Sequence, residues 1–255
     1  MPRLFQLILT LFCLQCSAQK QVYTTANAHS HNDYEKDLPF HKAWQNNFGS
    51  IEADIFLVGG KLIVAHDNAQ LARQWTLDSL YLQPLKISID KNAGNVYADP
   101  NHSLQLMIDI KSEAIATLDK LVETLKSYPS LTGAKTLKIV ISGNRPPPSK
   151  FASYPAWIQF DGELRKDYQP QELKKIEMLS DNFARYSTWK GKDSIPEKDR
   201  LALQQMIDKA HRLGKKIRFW NAPDTELSWT RFIELKVDYI NTDHIEELSK
   251  FLKKL

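Results

Sequence analysis

Eight short runs rich in β-branched and other apolar residues recur along the chain, at 22–28, 50–56, 104–110, 137–141, 156–160, 177–179, 216–220 and 238–241. Helical spacing fills many of the gaps between them. Phe40, Ala43, Trp44 and Phe48 share one face, as do Ile115, Leu118, Leu121, Val122 and Leu125. Leu203, Met206, Ile207 and Ala210 form a third stripe, with Gly214 as its stop signal, and 225–235 and 244–255 close the series. Strand–helix alternation of this length favours a parallel sheet, and eight strands in the space of one domain predict a single (β/α)8 TIM-type barrel.

One stretch departs from that rhythm. Within 70–100, "TLDSLYLQPL" reads as a short helix and "KNAGNVYADPNHS" as a loop; "GNRPPPSKFASYP" is a further Pro-rich loop. There is no linker composition and no internal repeat, so 19–255 is expected to be one domain.

The start of the chain reads as a targeting segment. "MPRLFQLILTLFCLQCSAQ" has an early Arg3, an apolar run too short to span a bilayer, and small residues before Gln19. A signal peptide over 1–18, cut after Ala18, is predicted, and with it export to a periplasm or beyond. Lipid anchoring at Cys16 is the weaker reading, because Gln15 stands where a small residue is expected. Cys13 and Cys16 are the only cysteines. The mature chain would then have no disulfide, thiolate metal site or cysteine nucleophile, and no transmembrane span. The net charge is +4, with 34 basic and 30 acidic residues. Nothing in their distribution forms a nucleic-acid-binding stripe.

The chemistry concentrates in "IEADIFLVGGKLIVAHD". In a strand, residues i and i+2 face one side, so Glu52 and Asp54 point together while Ile51, Ala53 and Ile55 point away. Two adjacent carboxylates in an apolar run repel each other unless a cation neutralises them, and Mg2+ and Ca2+ take oxygen ligands. "LQLMIDIKSE" repeats the pattern: Asp109 lies among apolar residues with Lys111 on its face, as an ion pair or as a third ligand beside a phosphate-contacting amine. His29 and His31 in "NAHSHNDY" follow the first strand run, and His66 ends the hairpin. Barrel sites form at the C-terminal ends of strands, where two imidazoles beside a cation can act as general acid and base. Asp161 and Asp181 also follow strand runs and could line the mouth, although Asp is common in such turns.

Taken in order, "AHSHNDY", "SIEADIFLVGGKLIVAHD", "LMIDIKSE", "IRFWNAPD" and "VDYINTDHIEEL" resemble the glycerophosphodiester phosphodiesterases, within the superfamily of barrels related to phosphatidylinositol-specific phospholipase C. "HSHNDY", "SIEADIFLV" and "LYLQPL" are similar to the altered inheritance of mitochondria protein 6 family. The resemblance implies a phosphodiester hydrolase. It makes His29 the first catalytic histidine, with His31 its competitor, and His66 the second. It makes Glu52, Asp54 and Asp109 the ligands of one Mg2+ or Ca2+, Lys111 a phosphate contact and Trp220 a pocket aromatic, with Asn241 and Asp243 structural. The common His-Arg-Gly motif is replaced by His29-Ser30-His31. The missing arginine could be supplied by Arg218, and Asn32 or Asp33 could supplement the metal site.

The reading is therefore a secreted, metal-dependent phosphodiesterase acting on a small-molecule or lipid-headgroup phosphodiester, of glycerophosphodiester type. Two other readings are a phospholipase C- or D-like enzyme on phosphoinositide or sphingolipid headgroups, and a non-catalytic ligand-binding barrel of the cell envelope.

Overall fold

The computed structural model describes residues 22–255; the expected leader, with Arg3, Cys13 and Cys16, lies outside the described residues. Nine strands form, seven of them on the expected runs and β1 only at the end of its run: β1 Ala28–Ser30, β2 Ser50–Val58, β3 Lys61–Val64, β4 Leu104–Ile110, β5 Leu137–Gly143, β6 Ile158–Glu163, β7 Ile176–Asn182, β8 Lys216–Trp220 and β9 Ile240–Thr242. Eight of them pair in parallel in the order β8-β7-β6-β5-β4-β2-β1-β9, and a parallel bridge between Arg218 and Tyr239 nearly closes the barrel. The ninth, β3, folds back antiparallel on β2 through Gly59-Gly60. Both glycines have positive φ, the conformation a tight two-residue hairpin requires.

The first strand differs from its expected place. Thr24 caps a 3-10 turn over Thr25–Asn27, its side chain accepting from the Ala26 amide, and only Ala28–Ser30 is extended. His29 thus lies inside β1 rather than beyond it, and His31 is the residue that follows the strand. Asp161 and Asp181 likewise fall within β6 and β7, not after them.

The helices cover the barrel with most of the residues their spacing predicts, although Ile115 stays exposed. Ala114–Lys126 buries Leu118, Leu121 and Leu125, and Glu113 caps it by accepting from the Ile115 and Ala116 amides. Glu197–Arg212 buries Leu203, Ile207 and Ala210. Each fully buried leucine contributes about 1.5–3 kcal/mol. The 70–100 stretch holds a π-turn, Asp78–Leu82, running into the helix Gln83–Lys91, and then a loop.

Strand alternation then decides what the barrel encloses. On β2, Ile51, Ala53 and Ile55 are fully buried on the helix-facing side. Inside, Met107, Val140, Met178 and Tyr239 form a separate small apolar cluster. Two residues further along the same strand faces come Asp109, Ser142 and Ser180, so the polar layer lies above that apolar floor, at the C-terminal end.

Candidate active site at the C-terminal mouth of the barrel

Parallel pairing places Asp54 beside Asp109, and Asp109 beside Ser142. Glu52, Asp54 and Asp109 bring carboxylate oxygens within 4.8 Å of one another. Gly143 permits this approach: its φ is positive, and a Cβ there would collide with the Asp109 carboxylate.

Two cations face these three acids. Lys111, just past β4, places Nζ 2.9 Å from Asp54 Oδ2 and 2.9 Å from Asp109 Oδ1. Arg218 on β8 places Nη1 2.6 Å from Glu52 Oε2. Burial, then the charges of Glu52 and Asp109, push the Asp54 carboxyl up to about 6 despite Lys111. Asp109 is raised by burial and by Glu52. Burial also acts to raise Glu52, but Arg218 and the His29 hydrogen bond overcome it and hold this carboxyl well below its usual range. Two acids that ionise reluctantly beside a third that stays charged mark a cluster short of positive charge. Asp54 Oδ1 is moreover buried without a hydrogen-bond partner. An all-oxygen set of this kind fits a hard divalent cation.

The three histidines separate in space. His66 follows β3, which the glycine turn brings back beside β2. Its Nδ1 lies 3.2 Å from Asp54 Oδ2 and 3.3 Å from the Tyr34 hydroxyl, and its side chain is half exposed. Tyr34 itself donates to Asp54 Oδ2 at 2.7 Å. His31 Nδ1 lies 3.2 Å from Asp243 Oδ1, which also pairs with Lys36 at 2.9 Å. Burial acts to lower His31, but its hydrogen bond to the Asp243 carboxylate and the Glu52 charge outweigh it, so this imidazole is raised. His29 is fully buried. Its Nδ1 contacts Ser50 Oγ at 2.7 Å and its Nε2 contacts Glu52 Oε2 at 2.7 Å, with Arg218 Nη1 packed against the same nitrogen. Burial and the neighbouring guanidinium lower it to about 3, so it is neutral at ordinary pH.

A cavity of about 590 Å3 opens over this layer. His31, Asn32, Glu52, His66, Asp109 and Lys111 line one side of it. Arg218 and Trp220 belong to its wall too, with Trp220 at the more exposed rim. His29 and Asp54 stand behind that surface. Asn32 has a left-handed backbone and accepts from the Tyr34 hydroxyl at 3.2 Å.

Asp33 is placed otherwise than expected for a supplementary ligand. It is fully buried, with Oδ1 accepting from Ser30 Oγ and Oδ2 accepting from the Phe40 amide and the Tyr81 hydroxyl. Those contacts spend the carboxylate on holding its own loop. Arg218 is a counter-ion of Glu52 as well as a cavity residue, and also donates to Asn241 Oδ1 at 3.1 Å. Sequence reasoning missed Asp243 and Tyr34 as partners of the histidines. Their signal was position alone: Asp243 directly follows the last strand, and Tyr34 ends "HSHNDY".

Residues 17–132 match the AIM6-like phosphodiesterase domain, and residues 216–246 match the glycerophosphoryl diester phosphodiesterase family. Altered inheritance of mitochondria protein 6 from Kluyveromyces lactis is 25% identical, over 88% of this chain and 72% of its own. That from Lachancea thermotolerans is 27% identical, over 90% and 66%. A homologue from Arthroderma benhamiae is 32% identical over 116 residues, 38% of this chain and 37% of its own. The crystal structure of a glycerophosphodiester phosphodiesterase from Parabacteroides distasonis superposes with a TM-score of 0.56 at 16% identity, covering 89% of this chain and 97% of that one. At that identity the likeness speaks for the fold. The chain thus carries an AIM6-like phosphodiesterase domain match over the strands that bear Glu52, Asp54 and Asp109, on a barrel fold like that of a glycerophosphodiester phosphodiesterase.

Proposed function

We propose that this protein is an exported, cation-dependent phosphodiester hydrolase acting on glycerophosphodiester-type substrates. The observation that carries the reading is one cavity in which His31 and His66 both border the Glu52–Asp54–Asp109 cluster and Lys111. Glu52, Asp54 and Asp109 would hold Mg2+ or Ca2+, which supplies positive charge to the non-bridging phosphate oxygens. Lys111 adds a second positive charge there, where negative charge grows in the transition state.

The histidines divide the proton transfers. His66 gives its Nδ1–H to Asp54, so Nε2 carries the lone pair and takes the proton of the attacking water. The water oxygen bonds to phosphorus as the ester P–O bond breaks. His31, whose protonated form Asp243 favours, returns a proton to the departing alkoxide. His29, neutral and out of reach of the cavity, orients Glu52. The leader expected over 1–18 is what supports export in this reading.

Hydrolysis of bis(p-nitrophenyl) phosphate by the mature chain, with and without Mg2+ or Ca2+, is the test. Turnover is expected only with the divalent ion and should vanish on chelation. Turnover undiminished by chelator would remove the cation from the reading. Absence of turnover on every diester tried, with a ligand retained, would favour the binding barrel.

A further inference from the structure

The acids of the cluster do not use their two oxygens alike. Glu52 meets His29 Nε2 at 2.7 Å and Arg218 Nη1 at 2.6 Å, both on Oε2. Asp54 carries the asymmetry further. Its Oδ2 accepts from the Tyr34 hydroxyl at 2.7 Å and from His66 Nδ1 at 3.2 Å, and pairs with Lys111 Nζ at 2.9 Å. Its Oδ1, equally buried, meets no hydrogen-bond donor among the described residues. A carboxylate oxygen offers about two lone-pair directions, so three such partners leave Oδ2 nothing for a cation, whereas Oδ1 is wholly free.

Tyr34 is the shortest and the most rigid of those three contacts. It is 1% exposed, with its ring in the hydrophobic core. It stands in the 3-10 turn Asp33–Glu35, which Asp33 fastens to Ser30 Oγ and to the Phe40 amide. Lys111 and His66 instead border the cavity, and His66 is half exposed. A phenylalanine would fill the space of Tyr34 without burying a hydroxyl. Any buried tyrosine needs an acceptor, and Tyr81 shows the plain solution: it donates to Asp33 Oδ2 at 3.1 Å, outside the acidic cluster. Tyr34 differs in that its acceptor is one particular oxygen of a cluster acid.

The habits of the two hard cations turn that difference into selectivity. Mg2+ demands a near-octahedral shell and suits single carboxylate oxygens. Ca2+ takes roughly 6–8 oxygen ligands in a looser shell and is often held by both oxygens of one carboxylate. Resting on the cation site of the hydrolase reading, we infer that Tyr34 is a positioning residue. By occupying Oδ2 it confines Asp54 to one free oxygen, and thereby sets a preference for Mg2+ over Ca2+.

Calorimetric titration of the mature chain with MgCl2 and with CaCl2 tests this without any substrate. The wild type should bind Mg2+ the more tightly. Tyr34→Phe should weaken Mg2+ by about 10–100-fold and Ca2+ by less, because the released Oδ2 gives Ca2+ a second oxygen. The ratio of the two Kd values should thus move toward Ca2+ by about 10-fold. Tyr81→Phe removes an equally buried hydroxyl and should leave both affinities as they were. His66→Ala removes the longest of the three contacts from a half-exposed position; it should move the ratio the same way by less, and serves if Tyr34→Phe does not fold. A wild type that binds Ca2+ at least as tightly as Mg2+ would overturn the assignment. So would a Tyr34→Phe that weakens both ions equally or neither, or a Tyr81→Phe that shifts the ratio as far. A chain that binds neither ion ends the cation site and this assignment together, whereas one that binds both and hydrolyses no diester condemns only the hydrolase reading.

Discussion

The two walls of the cavity are built on the same strand alternation but treat their acids in opposite ways. On the wall from β2 and β4, three carboxylates crowd within 4.8 Å and share Lys111 and Arg218 between them. On the wall from β6 and β7 each acid has its own company. Asp161 has two serines, Glu163 pairs with Lys166 at 2.6 Å, and Asp181 meets Arg185 at 3.0 Å and the Tyr186 hydroxyl at 2.7 Å. Acids that each have their own partners repel one another little. Three carboxylates that share two cations leave one negative charge uncompensated, which a divalent cation could neutralise. The proposed chemistry on phosphate rests on the first wall.

That contrast breaks most visibly at His66. His66→Ala should reduce kcat by about 10²–10⁴-fold while the circular dichroism spectrum and Tm stay near wild type, because the side chain is half exposed. A variant that turns over normally would take His66 out of the reaction. The next largest effect separates the two neighbouring histidines. His31→Ala should cost about 10²-fold or more in kcat with little change in stability. His29→Ala removes contacts to Ser50 and Glu52 from a fully buried position and should cost about 1–3 kcal/mol, read as a Tm fall of several degrees. If His29→Ala proved as stable as wild type while His31→Ala unfolded, their roles would have to be exchanged.

A smaller and more diagnostic effect concerns pH. The Asp243 hydrogen bond helps hold the His31 pKa above its ordinary value. That ion pair contributes stability below the ordinary histidine pKa and loses it as pH rises through the raised one. As general acid, His31 must be protonated, so it sets the alkaline limb of the kcat/KM profile. Asp243→Asn should move that limb to lower pH. An alkaline limb that stays where it was would show that His31 is not the acid.

Much of the first wall was legible beforehand, for a definite reason. Glu52 and Asp54 are two residues apart in a run that must be a strand, so their shared face follows from strand geometry, whatever else the chain does. Asp109 carries the same signature in a second run, and Gly59-Gly60 announces the turn that returns His66. Helical stripes such as Leu118, Leu121 and Leu125 were equally plain, since amphipathic period is local. The first strand was misplaced because a threonine cap and a 3-10 turn compete with extension over 24–27, and propensity alone does not rank them.

By itself, then, the sequence determined the alternation that builds a barrel, the common face of Glu52 and Asp54, and the hairpin that carries His66. Only the tertiary structure buried His29 and left His31 at the cavity, gave Asp33 to its own loop, turned Arg218 toward Glu52, and brought Asp161 into the same cavity wall as the acidic cluster. Most of these depend on segments far apart in the chain meeting: β1 pairs with β9, and Arg218 on β8 reaches Glu52 on β2 across the barrel. Side-chain direction within one strand is fixed by the pleat, but which groups meet across the barrel is fixed by its closure, and closure is a property of the whole chain.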